Sequence, residues 1–324
     1  HGFIGGYLAK KFADSGWEVV GVDNINMYKP EQYSLFLKHF EVRQRTQLDC
    51  ISSFHRMDAI HGSEMYKLIR ETSPDVVINL GGTPVADICR KNTEEAITSI
   101  YVMNAQILEA LKDYKGISRY VFVSSSMVYG DFEVESPSEG ANKKPKDPYG
   151  AIKFGSELLI ESFSRQFGLP YSIVRPSAVY GPLDSNMRVT GIFMLNAATG
   201  KPLRISNLEE RLDFTYVEDT AEGIYLAATH PNGKNEIFNI TRGEGRTIFE
   251  LAQEIQKHFP AVEILVNSPD EHMKGLIRPK RGALGIEKAR KLIGYDPRYS
   301  LEEGISMYAA GWKAIYGDDA RSLM

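Results

Sequence analysis

A chain of 324 residues, 43% hydrophobic and 25% charged with a net charge of −4, has room for one large domain and a smaller one. No apolar run reaches the ~20 residues that span a membrane, and mild acidity leaves no basic footprint for nucleic acid. The two cysteines, Cys50 and Cys89, make no disulfide framework and point to a reducing cytoplasm; the seven histidines show no paired ligand spacing, so no metal is expected.

The chain opens on His1-Gly2-Phe3-Ile4-Gly5-Gly6. This reads as the later part of a dinucleotide-binding turn, Gly-x-x-Gly-x-x-Gly, with Gly2 and Gly5 as its second and third glycines and Phe3 and Ile4 between them. The first glycine and a first strand, roughly ten residues, are expected ahead of His1. Such glycines let the backbone approach a pyrophosphate, and the helix expected over Tyr7 to Ser15 points its N-terminus at the same phosphates. The next strand, Glu18 to Val22, ends at Asp23. A carboxylate there accepts hydrogen bonds from ribose hydroxyls and repels a 2′-phosphate. No arginine directly follows Asp23, so the expected cofactor is NAD rather than NADP. Arg43 and Arg45 read as a solvated helix face.

Asp75-Val76-Val77-Ile78-Asn79-Leu80 is a continuous apolar run ending at Gly81-Gly82, the pattern of a buried parallel strand. A helical stretch covers about Thr93 to Asp113. Val121-Phe122-Val123 follows as a strand that ends in Ser124-Ser125-Ser126. Behind Asp147-Pro148 a helix opens on Tyr149 and runs to about Phe167, with Lys153 one turn after Tyr149. A tyrosine is a poor base at its usual pKa of about 10. A lysine four residues on shares its helix face, and the positive charge favours the phenolate. With a serine to hold the hydroxyl, the trio can move a proton on and off a sugar alcohol. A second Tyr-x-x-x-Lys match, Tyr7 to Lys11, has no serine strand before it and reads as ordinary helix surface.

Tyr171 to Arg175 is the next strand. The βαβα order gives the fold class: α/β, a Rossmann-type doubly wound parallel sheet with ligands at the strand C-terminal ends, plus a smaller mixed α/β substrate-binding region. The expected division is 1–180 for the NAD-binding domain and 181–324 mainly for the substrate region, interleaved with it. In the second part, Thr247-x-x-Glu250 and Ser300-x-x-Glu303 read as capping boxes that open helices. Ser268 to Gly282 reads as a loop.

Together these segments resemble the extended short-chain dehydrogenases, specifically the NAD-dependent nucleotide-sugar epimerase/dehydratase family. The marks are Gly2-Phe3-Ile4-Gly5, Asp23-Asn24, Met57-Asp58, Ser124 to Gly130, Tyr149 to Lys153, Arg175 to Pro182, Asp213 to Asp219 and Arg278 to Gly282. The resemblance implies catalysis by Ser125, Tyr149 and Lys153. It implies cofactor contacts from Gly2, Phe3, Ile4, Asp23, Asn24, Asp58, Ala59, Leu80, Gly81, Gly82 and Ser124, as well as from Tyr149 and Lys153. Substrate contacts would come from Ser125, from Ser126 and from Arg278 at the nucleotide diphosphate. It further implies a homodimer packed through the Tyr149 helix and the preceding long helix, with Ile107, Leu111, Leu158 and Leu159 as candidate contacts.

Four positions depart from the family pattern. Sugar 4,6-dehydratases place Asp then Glu directly after the active Ser/Thr, whereas this chain has Ser126 and Met127, and methionine does no acid–base work. Ala178 and Ile100 stand where many members carry Asn. The expected chemistry is therefore confined to C4: a 4-epimerase acting through a transient 4-keto sugar. The alternatives are a 4-dehydrogenase or ketoreductase, a 4,6-dehydratase, and a non-catalytic dinucleotide sensor.

Overall fold

The computed structural model describes residues 1–28, 33–266 and 278–317. Helix α1 (Phe3–Asp14) leads into β1 (Val20–Asp23), α2 (Tyr33–Thr46), β2 (Ser53–Arg56), α3 (Gly62–Thr72), β3 (Val76–Asn79) and α4 (Ala86–Lys91). A long helix follows in three parts, α5 (Thr93–Ala96), a π-helical segment (Ile97–Val102) and α6 (Met103–Leu111). Then come β4 (Arg119–Val123), α7 (Pro148–Phe167), β5 (Tyr171–Arg175) and β6 (Ala178–Tyr180). The remainder comprises α8 (Val189–Ala198), β7 (Leu203–Ile205), β8 (Arg211–Tyr216), α9 (Val217–Thr229), β9 (Glu236–Asn239), β10 (Gly245–Thr247), α10 (Ile248–His258), β11 (Ile264–Val266), α11 (Glu287–Ile293) and α12 (Leu301–Tyr316).

The strands β3, β4, β5 and β9 form one parallel sheet in the order β3-β4-β5-β9, and β1 pairs in parallel with β2. Strand β4 shows why this sheet is covered on both sides. Successive side chains of a strand point to opposite faces. Tyr120 and Phe122 join the cluster built with α3, α6 and α7, while Val121 and Val123 join the cluster built with α1, α9 and α11. All five residues of β4, and all five of β5, are buried. A third core gathers α8, α10 and α12 around β6, β7 and β8. Strand β9 returns from this later part of the chain to the edge of the main sheet, beside β5. The expected capping boxes form at Thr247 with Glu250 and at Ser300 with Glu303, and open α10 and α12. Most of the expected loop Ser268 to Gly282 lies outside the described residues. No helix among the described residues is long and apolar enough to cross a membrane.

Three expectations need correction. Arg43 is buried, not solvated: its Nη1 donates to the Leu183 carbonyl at 2.7 Å, and burial brings its pKa down to about 10. Helix α2 turns Leu35, His39 and Arg43 inward at i, i+4, i+8, and only Arg45 on the other side is solvated. Tyr7 is not plain helix surface either, because its hydroxyl donates to the Pro182 carbonyl at 3.2 Å and ties α1 to the loop after β6. Ile107 and Leu111 are buried in the chain's own core, and Leu159 packs against that core, which leaves Leu158 as the exposed one of the four candidate dimer contacts.

Candidate active site

The C-terminal ends of the parallel strands open onto one large cavity. Its volume of about 1250 Å³ exceeds the ~300–1,000 Å³ usual for ligand pockets. The excess arises because it takes in the space between the facing edges of β1 and β3, which form no ladder with each other among the described residues. At one end are Gly2, Phe3, Ile4 and Gly5, where α1 begins. A Cβ built on Gly2 or Gly5 meets nothing within 4 Å, so the backbone there is open to close approach by a ligand. Open glycine backbone at a helix N-terminus fits a pyrophosphate. Asp23 and Asn24 follow at the end of β1, and Asn24 Nδ2 donates to Asp58 Oδ2 at 2.9 Å across to the segment after β2. Asp23 Oδ1 accepts from the Ile25 backbone at 2.6 Å, and its Oδ2 lies 3.1 Å from the His1 backbone nitrogen. Ala59 lines the same wall; Leu80, Gly81 and Gly82 form the next one, beyond β3. These residues fit a dinucleotide laid across the strand ends from its phosphates to its ribose.

The reactive end is built by β4 and α7. Ser125 stands just past β4 and accepts from the Met127 backbone at 3.2 Å, starting a 3₁₀ turn over Ser126–Tyr129. Helix α7 starts in a fixed place for three local reasons. Asp147 Oδ1 accepts from the Gly150 backbone at 2.7 Å, Pro148 occupies the first turn, and Gly168 ends the helix in the left-handed region at φ 73°. Gly150 permits the fit, since a Cβ there would lie 2.5 Å from the Met127 carbonyl oxygen. Tyr149 is thus held against the serine turn. Burial raises the Tyr149 pKa above its ordinary value, while the Arg188 charge and the nearby Ser125 hydroxyl pull it down. Lys153 is 5% exposed, and its Nζ donates to the Val123 carbonyl at 2.8 Å. Burial brings its pKa down to about 8. Its Nζ lies 5.9 Å from the Tyr149 ring centre, and the charge that acts most strongly on the phenol is that of Arg188.

Ser124 also lines the cavity, but its hydroxyl is committed, donating to Glu157 Oε1 at 2.5 Å. Neither Ser126 nor Arg278 lines the cavity. Ser126 is buried with its hydroxyl 3.3 Å from Ser177 Oγ, and Ser177 is the serine that faces the cavity in its place. Arg278 is exposed and pairs with Glu210 at 3.2 Å. Arg188, on the loop after β6, carried no sequence motif; only its place in the loop Asp184 to Val189 brings it to the cavity. The π-helical segment brings in two more unforeseen residues, Thr98 and Ser99. Ser99 Oγ lies 2.9 Å from Thr83 Oγ1 and fixes the loop after β3 to the long helix.

A dinucleotide-type cavity at the ends of a parallel sheet, walled by Ser125, Tyr149 and Lys153, defines an α/β enzyme of the short-chain dehydrogenase kind. The chain belongs to the NAD dependent epimerase/dehydratase family, whose model matches residues 1–241. It is similar to a UDP-glucuronate 4-epimerase of Thermodesulfobacterium geofontis, 27% identical over 94% of this chain and 91% of that protein. It also resembles a dTDP-glucose 4,6-dehydratase of Xanthomonas campestris, 24% identical over 94% of this chain and 89% of the other. Among solved structures, a UDP-glucuronic acid 4-epimerase from Bacillus cereus in complex with UDP-glucuronic acid and NAD superposes with a TM-score of 0.86. That pair is 27% identical, and 97% of each chain is covered. The chain is therefore an NAD-dependent enzyme of the nucleotide-sugar epimerase/dehydratase group.

Proposed function

We propose that the enzyme is a nucleotide-sugar 4-epimerase. The Tyr149 phenolate takes the proton of the sugar 4-hydroxyl, which the Ser125 hydroxyl holds in place. As the O–H bond breaks, the C4–H bond also breaks and a 4-keto sugar results. When bound, NAD supplies the hydride acceptor and returns the hydride. The keto sugar turns over within the pocket, and Tyr149 gives the proton back after the hydride has come to the opposite face of C4. Lys153 uses one of its three N–H donors on Val123 and keeps the others for the ribose next to the nicotinamide.

Ser125, Tyr149 and Lys153 meeting on one cavity, with Ser126 and Met127 in the two positions after Ser125, is the observation that supports this reading. Elimination of water across C5 and C6 requires an acid and a base beside the sugar, and neither position supplies one. The likeness to two 4-epimerases, from T. geofontis and B. cereus, leans the same way. The partner is a nucleotide-diphosphate sugar, the location is the cytoplasm, and the assembly is a homodimer.

Turnover in deuterated water tests the proposal. A direct 4-epimerase returns the hydride it removed, so the product gains no carbon-bound deuterium. Mass gain at C3, C5 or C6 reveals proton transfer at carbon and replaces the epimerase with a dehydratase or a 3,5-epimerase.

A further inference from the structure

A row of buried hydrogen bonds runs from the cavity wall beyond β3 to the helix that carries Tyr149 and Lys153. The Gly81 backbone donates to Asn79 Oδ1 at 3.0 Å, and Asn79 Nδ2 donates to the Tyr120 hydroxyl at 3.1 Å. Tyr120 donates in turn to Asn104 Oδ1 at 2.6 Å, and Asn104 Nδ2 reaches the Ser156 carbonyl of α7 at 3.5 Å, the longest link. The row crosses β3, β4, α6 and α7, and its three side chains are 4%, 0% and 0% exposed. Val77 pairs with Tyr120 across the ladder, so Asn79, two residues on, stands on the same face of the sheet, diagonal to that ring.

One end fixes the polarity of the whole row. A backbone N–H only donates, so the Asn79 oxygen faces Gly81 and its amide nitrogen faces Tyr120. The phenol accepts there and spends its own proton on Asn104. Burial raises the Tyr120 pKa well above its ordinary value, so that proton stays on. Asn104 then accepts with its oxygen and offers its nitrogen to the carbonyl. Each group has a single role, and the loss of one link leaves buried neighbours unpaired. The wall itself sits tightly against the long helix. A Cβ on Gly81 would lie 2.8 Å from Met103 Cε, and one on Gly82, at φ 107°, would lie 2.9 Å from the Ser99 carbonyl oxygen.

We infer that Asn79 is a positioning residue for the cofactor: with Tyr120 and Asn104 behind it, it sets the Gly81–Gly82 wall of the cavity relative to the helix that carries Tyr149 and Lys153. Asn79 and Gly81 line the cavity, whereas Tyr120 and Asn104 do not, so these two act only through Asn79. This hold acts on NAD and is the same whichever reaction follows at the sugar.

Calorimetric titration of NAD into cofactor-free wild type and variants, beside urea unfolding of each, tests the assignment. Tyr120→Phe keeps the ring and removes the middle link. It should weaken NAD binding about 2- to 12-fold, the range for one neutral hydrogen bond, and speed amide hydrogen exchange at Gly81. Asn79→Leu removes the hold directly and should weaken NAD binding at least as much. Both variants should also lose stability, as a merely structural role would require. Asn79→Leu combined with Tyr120→Phe and Asn104→Leu separates the two roles. It makes all three side chains apolar, so no buried amide or phenol is left unpaired and stability should return toward the wild type. Gly81 stays unheld, and NAD binding should stay weak. Recovery of NAD affinity together with stability would make the row purely structural and overturn the inference. Wild-type NAD affinity in Tyr120→Phe would overturn it too, and this single variant decides the question if the triple one does not fold.

Discussion

Tyr149 must release a proton in a place where burial holds that proton on, so the groups around it decide whether it can act. Tyr149→Phe removes the only atom assigned to the transfer. Turnover should fall about 10²–10⁴-fold with NAD binding kept, and a near-wild-type rate in steady-state kinetics would remove Tyr149 from the mechanism. Lys153 makes a second, thermodynamic prediction. Burial takes its pKa from 10.5 down to about 8, so between those values the unfolded chain holds a proton that the native state has lost. Stability on this group's account then rises with pH across that window, and the penalty of burying the charge, roughly 3 kcal/mol, is complete below pH 8. In cofactor-free protein, Lys153→Met should gain most over the wild type at pH 7, and the difference in melting temperature should shrink toward pH 10. A difference that does not move with pH would place the native pKa elsewhere. Tyr149 and Lys153 were legible in the sequence because their relation is local, one helical turn behind an Asp-Pro start. Arg188 was not, because its approach to Tyr149 depends on where a distant loop folds back. Arg43 was misread for a related reason: composition says charged, and only the packing of α2 says buried.

Strand β4 and helix α7 position the chemistry, and both were readable, the strand from its apolar run and the helix from its Asp147-Pro148 start. What joins them was not readable. Arg175 at the end of β5 forks onto Glu157 of α7 at 2.9 and 2.6 Å, and the same carboxylate accepts from Ser124 at the end of β4. Arg175 also donates to the Tyr129 hydroxyl at 2.8 Å, and Tyr129 donates to Asn239 of β9 at 2.7 Å. This buried network ties three strands, the serine turn and the catalytic helix together, yet its members lie from 18 to 110 residues apart in the chain. Removing one partner leaves a buried charge uncompensated, at a cost of about 3–5 kcal/mol. Glu157→Leu should lose that much in urea unfolding, and adding Arg175→Met should recover part of it. A double variant that loses the sum of the two singles would show that the pair is not coupled. The π-helical segment was hidden for another reason: its sequence, Ile97-Thr98-Ser99-Ile100-Tyr101-Val102, reads as ordinary helix. An extra residue in the turn is a tertiary choice, often found at functional sites.

At the scale of the whole molecule, two buried clusters sandwich the parallel sheet and a third fills the substrate region, with β9 carried back to the sheet from the later part of the chain. Sequence reasoning supplied the alternation of strands and helices, since each element's pattern is local. It gave only the outline of the later half, where short strands such as β6, β7 and β10 are three residues long and leave little periodicity to read. The packing also tells which apolar side chains are left for a partner. Ile107 and Leu111 are consumed by the core, at 4% and 0% exposure, whereas Leu158 on α7 stays 49% exposed and Ile97 on the long helix 43%. These are the two helices through which a dimer is proposed, and the π-helical segment packs directly on α7. Large apolar side chains left open to water gain by burial against a partner, about 1.5–3 kcal/mol for each that becomes fully covered. If the homodimer forms there, Leu158→Arg puts two like charges near the symmetry axis and removes that gain. Light scattering at micromolar concentration should report a dimer for the wild type and a monomer for the variant, with unchanged far-UV circular dichroism. A variant that stays dimeric moves the interface to another face, and a monomeric wild type removes the dimer altogether.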